Sequence, residues 1–512
     1  MRVEYGNGEG AFDWLAFDSS AFDTGNVPLS DDVLGATGVR LKYGIDGNGP
    51  TDLVAGTGEL QCVLRNDNLA GTIGRYSPNH ANAISSWMYG VLIRCVFTYN
   101  SVNYVKFTGK LRVIDPEPGR YRGRKVAITA YDSMRDLAEA DAREVAVQTN
   151  KAEDELLDAL VAVMPTSAQP YATDFNAGVD TYPYSFDKVA GGTKVLSVMR
   201  DIVVSSLGML FQKGNGTLCY RSRHTLATGS SLATFDNTMV DLSVPSSLDG
   251  VFNRVRVTVH PKTISAAATE ELYTLPSGAS IEMAAGATTE VWTDYTDPDD
   301  RQVKIGGTSV VTVLVGGTHY AANSQADGLG SNMTSSITAT VTPFGSTAKW
   351  SLTNGASSTT FITVLKVIGK AVRDVGPQTF QSYEAEDYGD RPIDIDLPYQ
   401  DDPYIGQSAA HYLRQQYSDL AQQVGSITFI ANASNANMTA AMQVEPGDRV
   451  TVSEYVTGLT SVQCIVQSVE FEVQQGIYIV CRWGVRPANT TLFWQWGIAG
   501  ASEWGATTVY AF

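Results

Sequence analysis

VLIRCVFTYNSVNYVKFTGKLRVIDP, residues Val91 to Pro116, is two runs of β-branched and aromatic residues around a short polar turn. Val91 to Tyr99 and Tyr104 to Ile114 read as strands, and Asn100-Ser101-Val102-Asn103 reverses the chain between them, so the segment is expected to be a hairpin. Working outward, Gly58 to Asn66 alternates apolar and polar residues on its N-terminal side. Lys125 to Ala130 forms another run after the basic turn Arg120 to Arg124. Strands at this spacing predict a small antiparallel barrel or sandwich. Asp132 then follows the last strand, where its carboxylate can accept the free amides of a short helix running to Ala140.

Beyond Asn150 the apolar period becomes helical. Leu156, Leu157, Leu160, Val161 and Met164 form one stripe that Pro165 stops, with Asn150 and Glu153 placed as a capping box. A second helix is expected from Thr193 to Ser206, with Val195, Val198, Met199, Ile202 and Val203 inward and Gly208 as a left-handed cap. It leads into the hairpin Met209 to Gln212, turn Lys213-Gly214-Asn215-Gly216, and Thr217 to Arg221.

From Val251 to about Val375 strand patterns return: Arg254 to Val259, Gln302 to Ile305, Ser309 to Val315, Ser336 to Val341 and Thr360 to Val367. The density of Thr and Ser there could suggest a linker, but regular turn signals predict a packed β-module. A last helix is expected from Tyr404 to Gln422, burying Ile405, Ala409, Tyr412, Leu413, Tyr417 and Leu420. Strands Ser426 to Ala431, Arg449 to Tyr455, Ser461 to Val473 and Ile477 to Trp483 follow, with Glu445-Pro446-Gly447-Asp448 as a turn into a barrel strand.

The fold class is therefore mainly β with an α+β middle segment, in several antiparallel barrel or sandwich domains with a few short helices. At 512 residues one core is not the default. The expected division is 1–140 (N-terminal β-barrel), 141–250 (α+β), 251–375 (β-rich module), 376–491 (helix plus β-barrel) and 492–512 (aromatic tail). The 18% charged residues fall below the ~25% of ordinary globular proteins, and 47 Gly and 24 Tyr favour strands and turns. A net charge of -18 argues against wrapping nucleic acid, because phosphate binding needs a basic surface that releases counterions. Neither a secretory signal nor a transmembrane helix is expected, as Met1 to Gly10 has no apolar run and no run of about 18 apolar residues occurs.

The residues that could carry chemistry have plainer readings. Cys62, Cys95, Cys219, Cys464 and Cys481 lack CxxC spacing and nearby His, so buried thiols are expected rather than disulfides or zinc. Gly47-Asn48-Gly49-Pro50 has glycines but neither the Lys nor the helix of a phosphate loop, and reads as a surface turn. His80, His224, His260, His319 and His411 sit in no nucleophile motif, and there is no GxSxG. Asp297, Asp299 and Asp300, or Glu384, Glu386 and Asp387, could pair as glycosidase carboxylates, and Asp294 to Asp300 could gather calcium, but loops rich in Asp and Glu are ordinarily solvated turns. No catalytic, cofactor or metal residue is assigned, and no cofactor is expected. Trp494, Trp496, Trp504, Tyr510 and Phe512 crowd rings into a tail that cannot bury them alone, and are assigned to a contact with the chain's own barrel, a subunit or a partner.

Taken in order, GELQCVLRNDNLAGTIGRYSPN (Gly58 to Asn79), VLIRCVFTYN, YVKFTGKLRVIDP, VAITAYDSMRDLAE (Val126 to Glu139), GMLFQKGNGTLCYRSR (Gly208 to Arg223) and FNRVRVTV (Phe252 to Val259) form a series. YEAEDYGDRPIDIDLPYQDDPYIGQSAAHYLRQQY (Tyr383 to Tyr417), VEPGDRVTV and IVQSVEFEVQQGIYIVCRW continue it. The series resembles the tail-tip (baseplate) hub proteins of siphophages, related to the central hub of contractile-tail baseplates, over nearly the whole chain. It differs from some of them in ending at Phe512 without an appended lysozyme, peptidase or fibre region.

The resemblance implies a virion structural protein made in the host cytoplasm and no enzyme. It implies a homotrimer with two barrel-like domains per subunit, adapting a hexameric tail tube to a threefold tip and gating the DNA channel for genome ejection. Implied partners are the tail tube or distal tail protein, the tape-measure protein and a receptor-binding protein or fibre, with no specific nucleic-acid binding. Three copies at -18 each would give an acidic lumen past which DNA slides. Two other classes stay open. One is an adhesin whose module 251–375 reads host carbohydrate through exposed Trp292 or Trp350, and the other a β-rich glycan or peptidoglycan hydrolase.

Overall fold

A computed structural model describes residues 2–6, 26–35, 37–67, 71–117, 119, 123–245, 248–266, 270–385, 389–418, 424–474, 478–488, 492–493 and 508–509. Strands dominate, as expected, and most pair antiparallel. The hairpin of residues 91–116 forms as Leu92–Tyr99 and Val102–Glu117. Its turn is tighter than the sequence suggests: only Asn100 and Ser101 lie between the strands, both with positive φ (49° and 63°), the two-residue geometry that matches strand twist.

That hairpin belongs to a thirteen-stranded sheet. Numbered among themselves in chain order, its strands are β1 (Arg2–Gly6), β2 (Asn26–Pro28), β3 (Val39–Gly44), β4 (Glu59–Arg65), β5 (Leu92–Tyr99), β6 (Val102–Glu117) and β7 (Lys125–Tyr131). After the middle of the chain come β8 (Ser231–Asp236), β9 (Asp241–Ser243), β10 (Ser426–Ile430), β11 (Arg449–Glu454), β12 (Leu459–Gln474) and β13 (Tyr478–Pro487). Neighbours run β9-β10-β13-β12-β3-β4-β7-β6-β5-β1-β2, with β11 on β12 and β8 parallel to β11. The two ends of the chain are joined where Val39–Gly44 of β3 pairs with Val473–Ser468 of β12. β12 can do this because it is sixteen residues long: its first half pairs with β11, its second half with β3, and β13 lies beside it from Cys464 to Gln474.

The sheet encloses one apolar core, in which Leu41, Phe107 and Ile128 from the N-terminal strands meet Phe235, Phe429, Phe471 and Trp483. A second core lies beneath α1 (Ser133–Glu139), α2 (Glu153–Ala162), α3 (Val195–Ser206) and α4 (Arg223–Thr228), and reaches α5 (Pro403–Tyr417). The three-stranded unit Arg254–Val259, Gln378–Tyr383 and Pro392–Leu397 joins this core beside α5. The third core is the β-module. The fifteen-residue strand Thr360–Asp374 pairs with five short strands along its two edges, and Thr288–Asp294, Thr347–Asn354 and Ile337–Pro343 form a second sheet that shares the core around Trp350. All five cysteines are buried and free.

Several local expectations need correction. The first residue of α2 is preceded by Ala152, and it is Glu155 that accepts the Ala152 N–H (3.1 Å), while Asn150 lies two residues earlier in a strand at φ 50°. The left-handed residue ending α3 is Leu207 (φ 55°), not Gly208. Gly208 is needed for another reason: a Cβ there would stand 2.5 Å from the Tyr220 ring. Gln302 to Ile305 is not a strand, because Asp300 accepts the N–H groups of Gln302 and Val303 and holds a turn. The strand starts at Gly306–Thr308, and Ser309 at φ 51° ends it. Ser309 to Val315 is not a strand either: its alternation finds no opposing strand, and Val313 and Val315 are exposed. α5 stops at Tyr417, with 419–423 outside the described residues. The sequence reading also missed α6 (Asn435–Gln443), whose Ala-rich face carries too weak a period to stand out.

Candidate functional site

A polar junction ties the N-terminal strands to the C-terminal turn. Glu445 opens the turn Glu445-Pro446-Gly447-Asp448, whose shape depends on Gly447 at φ 88° and on Asp448 Oδ2 accepting the Glu445 N–H at 2.9 Å. This turn aims the Glu445 carboxylate at β6. There Lys106, 1% exposed, donates to Glu445 Oε1 (2.6 Å), Val444 O (3.1 Å) and Met442 O (3.3 Å). Every proton of the ammonium is thus used, which a buried cation requires. The other carboxylate oxygen accepts from the Tyr43 hydroxyl of β3 (2.9 Å) and from the Gly214 N–H (3.1 Å).

Gly214 belongs to the hairpin turn that clamps over β6. Its carbonyl accepts from Thr108 (3.0 Å), and a Cβ on it would stand 2.7 Å from the Lys106 backbone. Gln212 spans the same contact, donating to Thr108 O (2.9 Å) and accepting from the Ser133 N–H at the start of α1 (2.8 Å). One carboxylate therefore ties together the N-terminal sheet, the middle hairpin and the C-terminal turn. Burial, then the Glu445 charge, pushes the Tyr43 phenol well above its ordinary range, so the hydroxyl stays a donor.

Two buried carboxyl groups have pKa values raised above the ordinary carboxylate range. Asp132 caps α1 by accepting the Met134 N–H (3.1 Å), and burial pushes its pKa up to about 7. Glu153 is fully buried at the start of α2, and burial with the neighbouring Asp180 charge raises it to about 7. Asp180 itself forms a two-pronged buried pair with Arg223, both contacts at 2.8 Å. These groups stabilise and position structure.

The residues singled out by sequence fall as follows. Trp494, Trp496, Trp504, Tyr510 and Phe512 lie outside the described residues. The two tryptophans expected to read carbohydrate are not exposed aromatics. Trp350 is wholly buried at the centre of the β-module. Trp292 is sandwiched between Phe344 (5.4 Å between ring centres) and the Arg143 guanidinium (3.6 Å above the ring).

Asp297 is bound by Arg373 at 2.7 and 3.0 Å, which holds its carboxyl below the usual range, the reverse of a general acid. Asp294 is paired with Lys304 (2.9 Å), and Glu384 with Arg414, whereas Glu386 and Asp387 lie outside the described residues. His260 bonds Asp396 (2.6 Å). His411 bonds Ser382 (3.0 Å), but that hydroxyl is buried and already accepts from Arg414 (2.9 Å). Gly47 to Pro50 is a turn held by the Gly49 N–H on Asp52 (2.8 Å). Among the described residues no three His, Cys, Asp or Glu side chains gather at metal distance, and no helix is long and apolar enough to cross a membrane.

Sequence reasoning did not find Lys106–Glu445. The available signals were a lone Lys inside the apolar run YVKFTG and an acid before Pro-Gly, and neither names its partner. Large apolar side chains left in solvent are Tyr404, Tyr455, Val456, Val313 and Leu329, each at least 80% exposed, on the start of α5, the β11–β12 turn and two β-module loops.

No family model matches the chain, and no curated protein matches it in sequence. Solved structures do. The 43 kDa tail protein of prophage MuSo2 from Shewanella oneidensis is 8% identical, with a TM-score of 0.46 over 88% of this chain and 95% of that one. A tail protein from Neisseria meningitidis MC58 is 10% identical, with a TM-score of 0.43 over 88% and 91%. The prophage tail protein gp18 from Listeria monocytogenes EGD-e is 7% identical, with a TM-score of 0.42 over 94% of both chains.

Proposed function

We propose that the chain is a structural component of a phage tail: a tail-tip hub that assembles as a homotrimer, joins the tail tube to a threefold tip and forms the channel through which DNA passes. The ordered motifs from Gly58 to Trp483 that resemble siphophage hubs give the starting point. The observation that carries the reading is the fusion of the chain's two ends into one sheet at β3–β12, locked by Lys106–Glu445. Each end is built on a sixteen-residue strand, β6 and β12, with a bulge near its middle at Leu111/Val113 and Val466/Ser468. If each long strand anchors one β-unit, three copies of the chain would present six units to a sixfold tube.

The divisions at residues 1–140, 141–250, 251–375, 376–491 and 492–512 are proposed as the units of this hub. Tail tube or distal tail protein, tape-measure protein and a receptor-binding protein or fibre are its partners, and the tip of the virion is its place. Its work is assembly and gating, with no catalytic residue. The charge of -18 suits a lumen past which phosphates slide. The test is assembly of the purified full chain, alone and with the tail-tube protein from the same source, viewed by negative stain. Threefold rings that cap tubes support the hub, and a chain that stays monomeric and ignores tubes overturns it.

A further inference from the structure

Beside the Glu445 junction a cleft of about 270 Å³ opens between β6, the Lys213–Gly216 turn and α6. Asn103, Tyr104, Tyr171, Asn215 and Met442 line it together with three charged residues, Arg94, Lys213 and Glu445. We propose that this cleft binds a single pyranose ring of a neutral saccharide. The inference is independent of the hub reading, since it rests only on what lines the cleft.

The polar groups carry the argument. Among the described residues the Tyr104 and Tyr171 hydroxyls have no hydrogen-bond partner, and the two carboxamides use only their oxygens, Asn103 for Thr98 and Asn215 for Thr217. Two exposed carboxamides and two part-buried tyrosines therefore line the cleft beside the apolar Met442. A sugar ring offers both halves of that match, hydroxyls for the donors and acceptors and a C–H face for the rings. A phosphate is disfavoured because Glu445 forms part of the wall, Lys213 is held by Asp174 at 3.3 Å, and Arg94, the other cation of the wall, is itself engaged in an interaction. Its volume, about 270 Å³, lets the cleft accommodate one ring.

The turn is built to hold the cleft open. Gly216, at φ 92°, lets it pass over Thr108 and lie beside Tyr171, and Gly214 lets it touch the β6 backbone. Neither position has room for a larger residue, so the backbone of the turn is fixed against β6.

The test is ligand-observed NMR on the full chain with glucose, galactose, N-acetylglucosamine and rhamnose, with glucuronic acid and inorganic phosphate as charged probes. At least one neutral sugar is expected to bind with Kd on the order of 1 mM, and Tyr171→Ala or Asn103→Ala to weaken it about tenfold or more. Tyr171→Phe, which removes only a hydroxyl from a part-exposed ring, is expected to weaken it less while keeping the melting temperature. No binding of any neutral sugar, binding of phosphate alone, or sugar binding unchanged in Tyr171→Ala with fold intact would each overturn the proposal.

Discussion

Lys106 and Glu445, 339 positions apart in the sequence, meet at 2.6 Å with the lysine 1% exposed. Taking two charges from water costs several kcal/mol each, and their attraction offsets this only when the remaining protons and lone pairs are satisfied. Here they are, through two carbonyls, the Tyr43 hydroxyl and the Gly214 N–H.

Removing one partner strands the other. Glu445→Ala is expected to destabilise the chain by about 3–5 kcal/mol, while Lys106→Met combined with Glu445→Gln should cost clearly less than either single change. Urea unfolding of the three variants checks this, and equal losses for single and double variants would mean that the pair is incidental.

Asp132 and Glu153 set a pH dependence. Each folded pKa, about 7, stands above its unconstrained value of 3.8 or 4.5, so the native state holds protons that the unfolded chain releases. Their contribution is fully present below about pH 4 and is lost as pH rises through 7. Asp132→Asn with Glu153→Gln, which keeps the shapes and drops the charges, should raise the melting temperature at pH 8 relative to the parent and narrow the gap between pH 5 and pH 8. An unchanged gap would show that neither carboxyl resists ionisation.

Gly447→Ala should be costly in spite of its size. The backbone there sits at φ 88°, and the new Cβ would stand 2.8 Å from the Phe211 ring. A loss of about 2 kcal/mol or more is expected from overpacking and strain together. A variant as stable as the parent would mean that the turn relaxes freely, and the aim of Glu445 at β6 would then need another cause.

The β-module is held to the helical middle partly by the Arg143 guanidinium lying 3.6 Å over Trp292. A double-mutant cycle with Arg143→Ala and Trp292→Ala should return a coupling of about 1–2 kcal/mol, since the contact is partly desolvated. A coupling near zero would contradict the stack.

What could be read in the sequence follows from the range of the forces involved. The hairpin of residues 91–116, the Asp132 cap, the inward face of α3 and the Met209 to Arg221 hairpin are local, and period with turn chemistry suffices for them. The misreadings share a cause. Ser309 to Val315 has strand composition but no partner strand, Gly208 looked like a cap where its role is to make room for Tyr220, and Trp350 looked available where it fills a core. Each is settled by what packs against the residue, which no pattern along the chain contains. For the same reason the β3–β12 pairing and the Glu445 junction were out of reach, although their parts, the VEPGD turn and the long strand after it, were visible.

The mass of the full chain in solution tests the account most directly, measured by light scattering across a range of concentrations in the presence and absence of the tail-tube protein. The hub reading predicts a species of three times 55.0 kDa that grows further when tubes are added. A single 55.0 kDa species at every concentration, unchanged by tubes, would contradict it.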